Sequence, residues 1–317
     1  MALPEELRIM TRVARMYYTE GVRQPQIARR LGLSQARVSR LLSKAEQHGI
    51  VRITVSPPAG THPELEAALQ ERYGLRLALV VEVAEDDEQR VLPELGAAAA
   101  YYLEATLRSG DVIGISSWSA SLLALVDHLH PVPGLAGVQV VQVLGGVGDP
   151  AAAEHATRLT DRMARVLHGG AVHLPSPGVA GSAASARALR EDPFVAAGLA
   201  LFEGITVALV GIGSLEPSRV LASSGNVFSA AELERLRAAG AVGDVCLNFF
   251  DAEGTPVDVG TAERVIGITP DGLRAVPRCV AVAGGRRKTE AVRGALRGGL
   301  VNVLITDRFT AERLTRP

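Results

Sequence analysis

The chain has 317 residues, of which 47% are hydrophobic and 21% charged, and its formal net charge is −1 at pH 7. This composition is typical of a folded globular protein and excludes a disordered chain. No apolar run approaches the roughly 18 to 20 residues that cross a bilayer, and the first residues lack the apolar core of a secretory signal, so we expect a cytoplasmic protein. The two cysteines, Cys246 and Cys279, share no metal-site spacing with each other or with histidine. We therefore expect buried thiols and no metal or cofactor.

A helix is predicted from Leu3 to Tyr18, and the stretch that follows, Gln24 to Ser43, has the spacing of a helix-turn-helix. Within this helix-turn-helix, Ala28 is small at the point where the second helix of the pair would cross the first. Gly32, between the two, can take the left-handed conformation that ends a helix. Ser34 is a natural N-cap for the second helix. The agreement of these features within one short window favours a helix-turn-helix over an ordinary helical hairpin.

The second helix of this pair is predicted to be apolar on one side and polar on the other. Val38, Leu41 and Leu42 fall at helical spacing on the apolar side. Arginine and glutamine can make paired hydrogen bonds to base edges, and lysine can neutralise phosphate. The polar side therefore predicts contacts with double-stranded operator DNA from Ser34, Gln35, Ala36, Arg37, Ser39, Arg40, Ser43 and Lys44. The alternative is an amphipathic hairpin whose basic face is only solvated.

Positive charge is concentrated at the start of the chain. From Met1 to Arg52, ten Lys and Arg oppose four Asp and Glu, a net charge of +6, which leaves −7 for the rest because the whole chain carries −1. Such a split favours one module that contacts phosphates and another with a different task. Arg8, Arg12 and Arg15 on the first predicted helix either approach the DNA backbone or are solvated.

A domain boundary is predicted soon after the recognition helix. Ile50 to Val55 alternates apolar and polar residues as a short strand or wing would, and Ser56 to Gly60 breaks regular structure. We therefore predict a winged-type helix-turn-helix domain over residues 1–55, a linker over 56–62, and an effector-binding and oligomerisation domain over 63–317.

The rest of the chain alternates strands with helices. After a connecting helix at Pro63 to Arg72, apolar and β-branched runs predict strands at Leu77 to Val83, Val112 to Ser116, Val138 to Leu144, Ile205 to Gly211, Cys279 to Ala283 and Val301 to Thr306. Helical patterns lie between them, at Leu92 to Leu107, Leu122 to Leu129, His155 to Leu167, Ala230 to Ala238 and Lys288 to Leu296. This alternation predicts an α/β domain with a mostly parallel, Rossmann-like sheet.

Small residues follow several of the predicted strands. Ligands of open α/β sheets bind beyond the carboxyl ends of the strands, where this chain has Ser116 to Ser121, Gly145 to Gly148, Gly211 to Ser214, Gly284 with Gly285, and Asp307. Small residues let the backbone approach a ligand, and the following helix N-termini favour an anion such as a sugar phosphate. Tight turns also use glycine for structural reasons, but the repetition at one edge favours a pocket.

Lysine is rare in this chain. Of its 33 basic residues, only Lys44 and Lys288 are lysine. Lys288 follows the Gly284-Gly285 turn at a predicted helix start, where a compact ammonium suits a phosphate or a sugar hydroxyl. A chance surface lysine is the alternative.

Several blocks of sequence follow one another in an order shared with a known family. They are Ile27 to Ile50, GISSWSASL from Gly114, VVQVLGG from Val140, HLPSPG from His173, ALVGIGS from Ala208, AVGDVCLNFFD from Ala241, VAVAGGRRK from Val280 and VNVLITD from Val301. On these blocks the chain resembles the SorC/DeoR-type sugar-binding transcriptional regulators of bacteria. The resemblance implies an effector domain related in fold to sugar-phosphate isomerases and deaminases, which senses a phosphorylated sugar or glycolytic intermediate, usually in tetramers.

The resemblance, together with the small residues at the sheet edge, also implies a set of effector contacts. Arg219 stands where a second anionic group is often bound, and Asp244 and Lys288 match acidic and basic contacts of the family. Where many relatives have Gly and then Thr in the phosphate-binding loop, this chain has Ser119 and Ser121, which narrows access to the backbone. The full set is Ser117, Trp118, Ser119, Ser121, Gly145, Gly146, His155, Thr157, Gly211, Arg219, Asp244, Lys288 and Asp307.

We therefore expect a transcriptional regulator rather than an enzyme. A small effector switches DNA binding only if it binds two forms of the protein with different affinities. One recognition helix reads only a few base pairs, so a dimer or tetramer is expected. One alternative is a sugar-phosphate isomerase or deaminase fused to a DNA-binding domain, with Asp244 or His155 as the general base. Another is a DNA-binding protein whose second domain only assembles oligomers.

Overall fold

The computed structural model describes residues 4–51, 58, 60–147, 150–216, 221–222 and 228–316, with no side chains described at residues 4 and 150–157. The chain divides into two compact units, Met1–Pro58 and Ala59–Pro317. Each unit has a hydrophobic core of its own. The division falls within the stretch predicted as a linker, residues 56–62.

The first unit is helical. It comprises α1 (Pro4–Ala14), a π-helical turn (Arg15–Thr19), α2 (Gln24–Leu31) and α3 (Gln35–Gln47). The helix predicted from Leu3 to Tyr18 thus reaches nearly its predicted end, but its last turn widens to π geometry. The side chains that fill its core come from all three α-helices and include Met10, Val13, Ile27, Val38 and Leu41.

The predicted wing, Ile50 to Val55, lies mostly outside the described residues, as do most residues of the predicted break at Ser56 to Gly60. Ile50 and Val51 are described, and both donate backbone hydrogen bonds to the carbonyl of Ala45. The winged character of the domain therefore stays a prediction.

The second unit alternates helices with strands. Its helices are α4 (Pro63–Tyr73), α5 (Glu88–Thr106), α6 (Ala120–His128), α7 (Pro150–Val166), α8 (Ala183–Glu191), α9 (Pro193–Ala200), α10 (Ala230–Ala238), α11 (Pro270–Ala275), α12 (Thr289–Arg297) and α13 (Arg308–Thr315). Its strands are β1 (Leu77–Val81), β2 (Val112–Ile115), β3 (Gln139–Gln142), β4 (Gly170–Val172), β5 (Val207–Val210), β6 (Gly213–Ser214), β7 (Gly243–Val245), β8 (Asn248–Phe250), β9 (Arg278–Val282) and β10 (Val303–Asp307).

Within the described residues, seven strands form one sheet in the order β1-β10-β9-β5-β2-β3-β4, and every neighbouring pair is parallel. The predicted α/β fold with a mostly parallel sheet is confirmed. Side chains of β5 show why the predicted strands read as continuous apolar runs. Ala208 and Val210 face one hydrophobic cluster, whereas Val207 and Leu209 face the cluster on the other side of the sheet.

The strand order reverses between β2 and β5. From β2 the chain continues to β3 on one side of the sheet, and from β5 it continues toward β9 on the other side. Helices therefore leave the carboxyl ends of these two strands in opposite directions and open a crevice between them. Ser116 and Gly211 are the residues that follow β2 and β5 at this point.

A second, antiparallel sheet of β6, β7 and β8 was not predicted from the sequence. Its strands are two or three residues long, too short to show an alternating pattern. The same limit applies to β4, which has three residues. The helices α8, α9, α11 and α13 were also not predicted from the sequence. The small sheet matters because β6 directly follows β5 and brings β7 to the crevice.

Substitution of Gly96 tests the packing of α5 on α6. A Cβ at this buried position would lie 2.6 Å from the carbonyl carbon of Ala124, so the two helices must move apart to accept one. Helix propensity alone favours alanine by about 1 kcal/mol. We nevertheless expect Gly96→Ala to lower the free energy of unfolding by about 1 to 3 kcal/mol in a urea titration. Gly181→Ala is the control, since a Cβ there meets no heavy atom within 4 Å. A Gly96→Ala variant as stable as the control would contradict the close approach.

Candidate functional site

The helix-turn-helix of the first unit is built by a glycine and a cap. α2 ends at Gly32, whose φ is 66° and whose N–H donates to the carbonyl of Ala28. The Oγ of Ser34 accepts a hydrogen bond from the backbone N–H of Arg37 at 3.3 Å and so begins α3. Val38 is fully buried on the side of α3 that faces the core. The opposite side of α3 is left to solvent.

The residues predicted to contact DNA all lie on that open side and are exposed: Ser34, Gln35, Ala36, Arg37, Ser39, Arg40, Ser43 and Lys44. Within the described part of the first unit, Arg37 and Arg40 form no ion pair, so both guanidinium groups are available to a phosphate or a base edge. Lys44 differs, because its Nζ lies 2.6 Å from Oε1 of Glu6. This hydrogen bond lowers the pKa of Glu6. A DNA phosphate that bound Lys44 would have to compete with Glu6.

The second unit has a cavity of about 100 Å³ at the carboxyl edge of the sheet, at the crevice between β2 and β5. Its polar lining comes from five separate places in the sequence, namely the start of α5, the loop after β2, the segment after β5, strand β7 and the turn before α12. The polar and charged residues of this lining are Glu88, Ser116, Ser119, Ser214, Glu216, Asp244, Arg287 and Lys288. Leu92, Trp118, Leu144, Ile212, Leu221 and Leu247 supply much of its apolar surface.

Four residues of the loop after β2 were predicted to contact the effector. Trp118 and Ser119 line this cavity, whereas Ser117 and Ser121 do not. Ser117 is fully buried, and its Oγ donates to the carbonyl of Leu144 at 3.0 Å. The Oγ of Ser121 donates to the carbonyl of Val282 at 2.6 Å. Because both hydroxyls donate to backbone carbonyls of neighbouring segments, they hold the loop in place. Their contact with the effector stays a prediction.

Ser119 lines the cavity, and its hydroxyl proton is already used. Its Oγ lies 3.0 Å from the Oγ of Ser121, and because Ser121 donates its own proton to the carbonyl of Val282, Ser119 donates to Ser121. Toward the cavity Ser119 can therefore only accept a hydrogen bond. The Oγ of Ser119 also accepts from the backbone N–H of Leu122 and caps α6. Gly211 lies so close that a Cβ there would be 2.4 Å from this Oγ. A glycine at the end of β5 is therefore needed for the crevice to close around the loop.

Asp244 is the buried acid of the cavity. It is 8% exposed, and its Oδ2 accepts a hydrogen bond from the backbone N–H of Leu247 at 2.9 Å. Burial raises the pKa of Asp244 to about 6, although the N–H of Leu247 and the charge of Lys288 oppose the rise. Gly213 makes room for the carboxylate, since a Cβ there would lie 2.1 Å from Oδ1.

Lys288 is the basic partner across the same cavity. It ends the 3-10 turn Arg286–Lys288 and is partly buried. Burial lowers the pKa of Lys288, and the carboxylates of Glu88 and Asp244 raise it. No described residue forms an ion pair or a side-chain hydrogen bond with its ammonium group. Asp244 and Lys288 thus line one cavity and influence each other without direct contact, which leaves room for a group that bonds to both.

The cavity wall beside Asp244 is a strained hairpin tip. Cys246 and Leu247 connect β7 to β8 with φ of 51° and 62°, values that residues other than glycine rarely adopt. Burial raises the pKa of the Cys246 thiol to about 12, so this sulfur is a neutral wall atom rather than a nucleophile. The side chain of Asn248 holds the tip by donating to the carbonyls of Val245 and Ile268, each at 3.0 Å.

Sequence reasoning missed Glu88, Glu216, Arg287, Cys246 and Leu247 as cavity residues. Arg287 alone had a signal, because it directly precedes the lysine that was singled out. Cys246 and Leu247 lie in the shared block that begins at Ala241, close to Asp244, but were not singled out. Glu88 and Glu216 lie in segments that show no motif, and only the fold brings them to the crevice.

Three further predicted contacts lie outside the cavity lining. Gly145 and Gly146 pack so tightly that a Cβ would meet the carbonyl oxygen of Pro177 or the side chain of Gln142 at 2.3 Å. Asp307 is fully buried and accepts hydrogen bonds from the backbone N–H of Gly285 at 2.8 Å and of Thr310 at 2.9 Å. These residues shape the sheet edge, and their assignment as effector contacts stays a prediction.

Three other predicted contacts cannot be placed in the same way. His155 and Thr157 lie on α7, but their side chains are outside the described part of the structure. Arg219 lies outside the described residues altogether. Their roles remain predictions.

Among the described residues, no group of three or more His, Cys, Asp or Glu side chains is arranged to hold a metal ion. No described helix has both the length and the apolar character required to span a membrane.

A helix-turn-helix joined to an α/β domain with a polar crevice defines a ligand-responsive DNA-binding protein, and comparison with known proteins specifies which kind. The family described as "Putative sugar-binding domain" matches residues 58–316, and the MarR family matches residues 12–60. The deoxyribonucleoside regulator of Bacillus subtilis is 32% identical over 98% of this chain and 98% of its own length. The sorbitol operon regulator of Klebsiella pneumoniae is 30% identical over 98% of this chain and 99% of its own.

Solved structures agree with these matches. The crystal structure of the full-length sorbitol operon regulator SorC from Klebsiella pneumoniae superposes with a TM-score of 0.73 at 28% identity, covering 98% of this chain and 100% of that one. The chain therefore belongs to the SorC/DeoR-type family of sugar-binding transcriptional regulators. These relatives are named as regulators, which confirms the expectation of a regulator with a sugar-binding domain rather than an isomerase or deaminase.

Asp244 gives the stability of the second unit a defined pH dependence. A carboxyl whose pKa is higher in the folded chain stabilises the fold while it is protonated, and this contribution is lost as the pH rises through the folded pKa. The difference between 3.8 and about 6 corresponds to about 3 kcal/mol. We expect Asp244→Asn, which cannot ionise, to be more stable than the wild type at pH 8 by up to about 3 kcal/mol.

Urea titrations at pH 8 and at pH 4 test this expectation. The advantage of the Asp244→Asn variant should shrink toward zero at the lower pH, where the wild-type carboxyl is protonated as well. A variant that is less stable than the wild type at pH 8 would show instead that the ionised carboxylate stabilises the fold.

Proposed function

We propose that this regulator binds a phosphorylated sugar in the crevice between β2 and β5 and that this binding changes the affinity of α3 for operator DNA. The observation that carries the proposal is the ammonium of Lys288, which has no ion-pair partner among the described residues, in the same cavity as the buried carboxyl of Asp244. A phosphate oxygen suits Lys288, and a sugar hydroxyl can donate to Asp244 while it accepts from a neighbour.

The surrounding lining supports a small polar ligand with an apolar face. Ser119 offers hydroxyl lone pairs next to the N-terminus of α6, and Trp118 and Leu144 give the flat apolar surface on which a sugar ring can pack. The relatives carry the names deoxyribonucleoside regulator and sorbitol operon regulator. Effectors built on a sugar or sugar-alcohol skeleton fit both these names and the lining.

The DNA half of the proposal rests on the open face of α3. Arg37 and Arg40 project from it without ion pairs among the described residues, and Gln35 lies in its first turn. This is the arrangement with which a recognition helix reads base edges in a major groove.

Because one such helix covers only part of an operator, we infer that the protein acts as a dimer or tetramer. Sedimentation equilibrium of the full chain tests this, and a monomer at micromolar concentration would overturn it.

Lys288→Ala tests the effector half of the proposal. We expect at least one phosphorylated sugar in a panel of pentose, hexose and triose phosphates to raise the melting temperature of the wild type. The same compound should have no effect on the variant, because the ammonium that holds its phosphate is gone. Lys44→Ala is the matched control, since it removes the other lysine of the chain from the DNA-binding unit. A panel without any stabilising compound, or equal shifts in wild type and Lys288→Ala, would contradict the proposal.

Arg40→Ala tests the DNA half. If Arg40 bonds to a base edge, its removal should weaken binding to a specific operator by about 1 to 3 kcal/mol and leave binding to random DNA nearly unchanged. Fluorescence anisotropy at fixed salt concentration measures both affinities. Arg12→Ala, on the exposed side of α1, removes the same charge and serves as the control. Equal losses on operator and random DNA would assign Arg40 to phosphate contact instead.

A further inference from the structure

A half-exposed arginine lines the cavity beside Lys288. Arg287 directly precedes Lys288 in the 3-10 turn Arg286–Lys288 and lines the same cavity. About half of its side chain is exposed, whereas Lys288 is partly buried. Arg287 therefore stands where a ligand entering the cavity passes it.

Two carboxylates from different parts of the chain hold this arginine. Its Nη2 lies 3.4 Å from Glu88, the first residue of α5, and its Nη1 lies 3.5 Å from Glu216, which follows β6. Good charge-assisted hydrogen bonds of this kind measure about 2.7 to 2.9 Å. Both contacts are longer than that, and all three side chains are at least half exposed. Each pair is therefore weak and easily displaced.

The guanidinium fork is thus divided between two acceptors, and neither engages both of its terminal nitrogens. A phosphate or another anion with two oxygens at one centre can accept from Nη1 and Nη2 together, which is the stronger and shorter arrangement. The neighbouring ammonium of Lys288 has no partner among the described residues and adds to the attraction.

We propose that Arg287 is an exchangeable anion-binding residue, held by Glu88 and Glu216 in the unliganded protein and taken over by the anionic group of the effector. This inference deepens the proposed function, since it concerns the same cavity. In this role Arg287 favours anionic ligands over neutral ones. A neutral sugar leaves Arg287 with its two carboxylates, whereas a phosphorylated one removes it from them.

The exchange also gives ligand binding a mechanical consequence. The contacts of Arg287 with Glu88 and Glu216 link the start of α5, the segment after β6 and the turn before α12. Capture of Arg287 by an anion releases Glu88 and Glu216 from this link. Three elements on different sides of the crevice thereby respond to one charge on the ligand.

Titration with inorganic phosphate tests the exchange without knowledge of the effector. Binding to the full chain is measured by calorimetry at constant ionic strength. We expect Arg287→Gln to weaken phosphate binding about tenfold. Arg286→Gln, one residue away, exposed and outside the cavity lining, removes the same charge and should change the affinity less than about twofold.

A second set of variants tests the role of the two carboxylates. Glu88→Gln with Glu216→Gln frees Arg287 and should strengthen phosphate binding roughly threefold to tenfold. Glu94→Gln with Glu191→Gln changes the net charge equally at exposed positions outside the cavity and should leave the affinity nearly unchanged.

Each outcome decides the proposal. Phosphate binding that is equal in wild type, Arg287→Gln and Arg286→Gln would overturn it, as would the absence of any phosphate binding to the Glu88→Gln, Glu216→Gln variant. Equal effects of the two double variants would show a general charge effect and overturn the exchange. Failure of the proposed function is separate, because it would appear as Arg287-dependent phosphate binding together with sugar phosphates that leave operator affinity unchanged.

Discussion

The effector half of this protein depends on an acid and an ammonium that share one cavity without touching. Burial disfavours the charge on Asp244 and on Lys288, and neither recovers the cost through an ion pair with the other. One backbone N–H is the partner of Asp244, and no described residue bonds to the ammonium of Lys288. In the proposed function, a ligand that bonds to both groups replaces the hydrogen bonds to water that burial removed. The affinity of the cavity for a polar ligand would then arise from this desolvation.

The fold keeps these two groups in place by several close approaches around the crevice. Gly211 and Gly213 have no room for a Cβ beside Ser119 and Asp244, so β5 and β6 come within contact distance of the cavity wall. The hairpin tip beyond Asp244 is strained, with left-handed backbone at two residues other than glycine, and such positions cost about 1 to 3 kcal/mol each. The core around Phe250 offsets this strain by fixing both strands of the hairpin.

Much of this architecture was predictable from the sequence, for identifiable reasons. The helix-turn-helix follows from Ala28, Gly32 and Ser34, each of which acts through local backbone geometry. The parallel sheet follows from long apolar runs that only a doubly covered sheet can bury. The shared sequence blocks single out Asp244 and Lys288, and both line the cavity.

What the sequence did not reveal depends on contacts between distant segments. Ser117, Ser121 and Asp307 have the chemistry of ligand contacts, but their polar atoms bond to neighbouring backbone or to Thr310. Arg287 and its two carboxylates come from three separate segments, and no local pattern brings them together. The small antiparallel sheet is built of strands too short for any period to be detected. In each case burial and partner choice, which depend on the folded chain, decide the role of the residue.

The central claim is that occupancy of the crevice and affinity for DNA are coupled. The most direct measurement is the affinity of the full chain for its operator, by fluorescence anisotropy, with and without a saturating phosphorylated sugar, together with the affinity of that sugar for free and DNA-bound protein. Thermodynamic linkage requires the two ratios to be equal. The account predicts a changed operator affinity, matched by the same factor in the affinity for the sugar. A sugar phosphate that binds the crevice while operator affinity stays the same would contradict it.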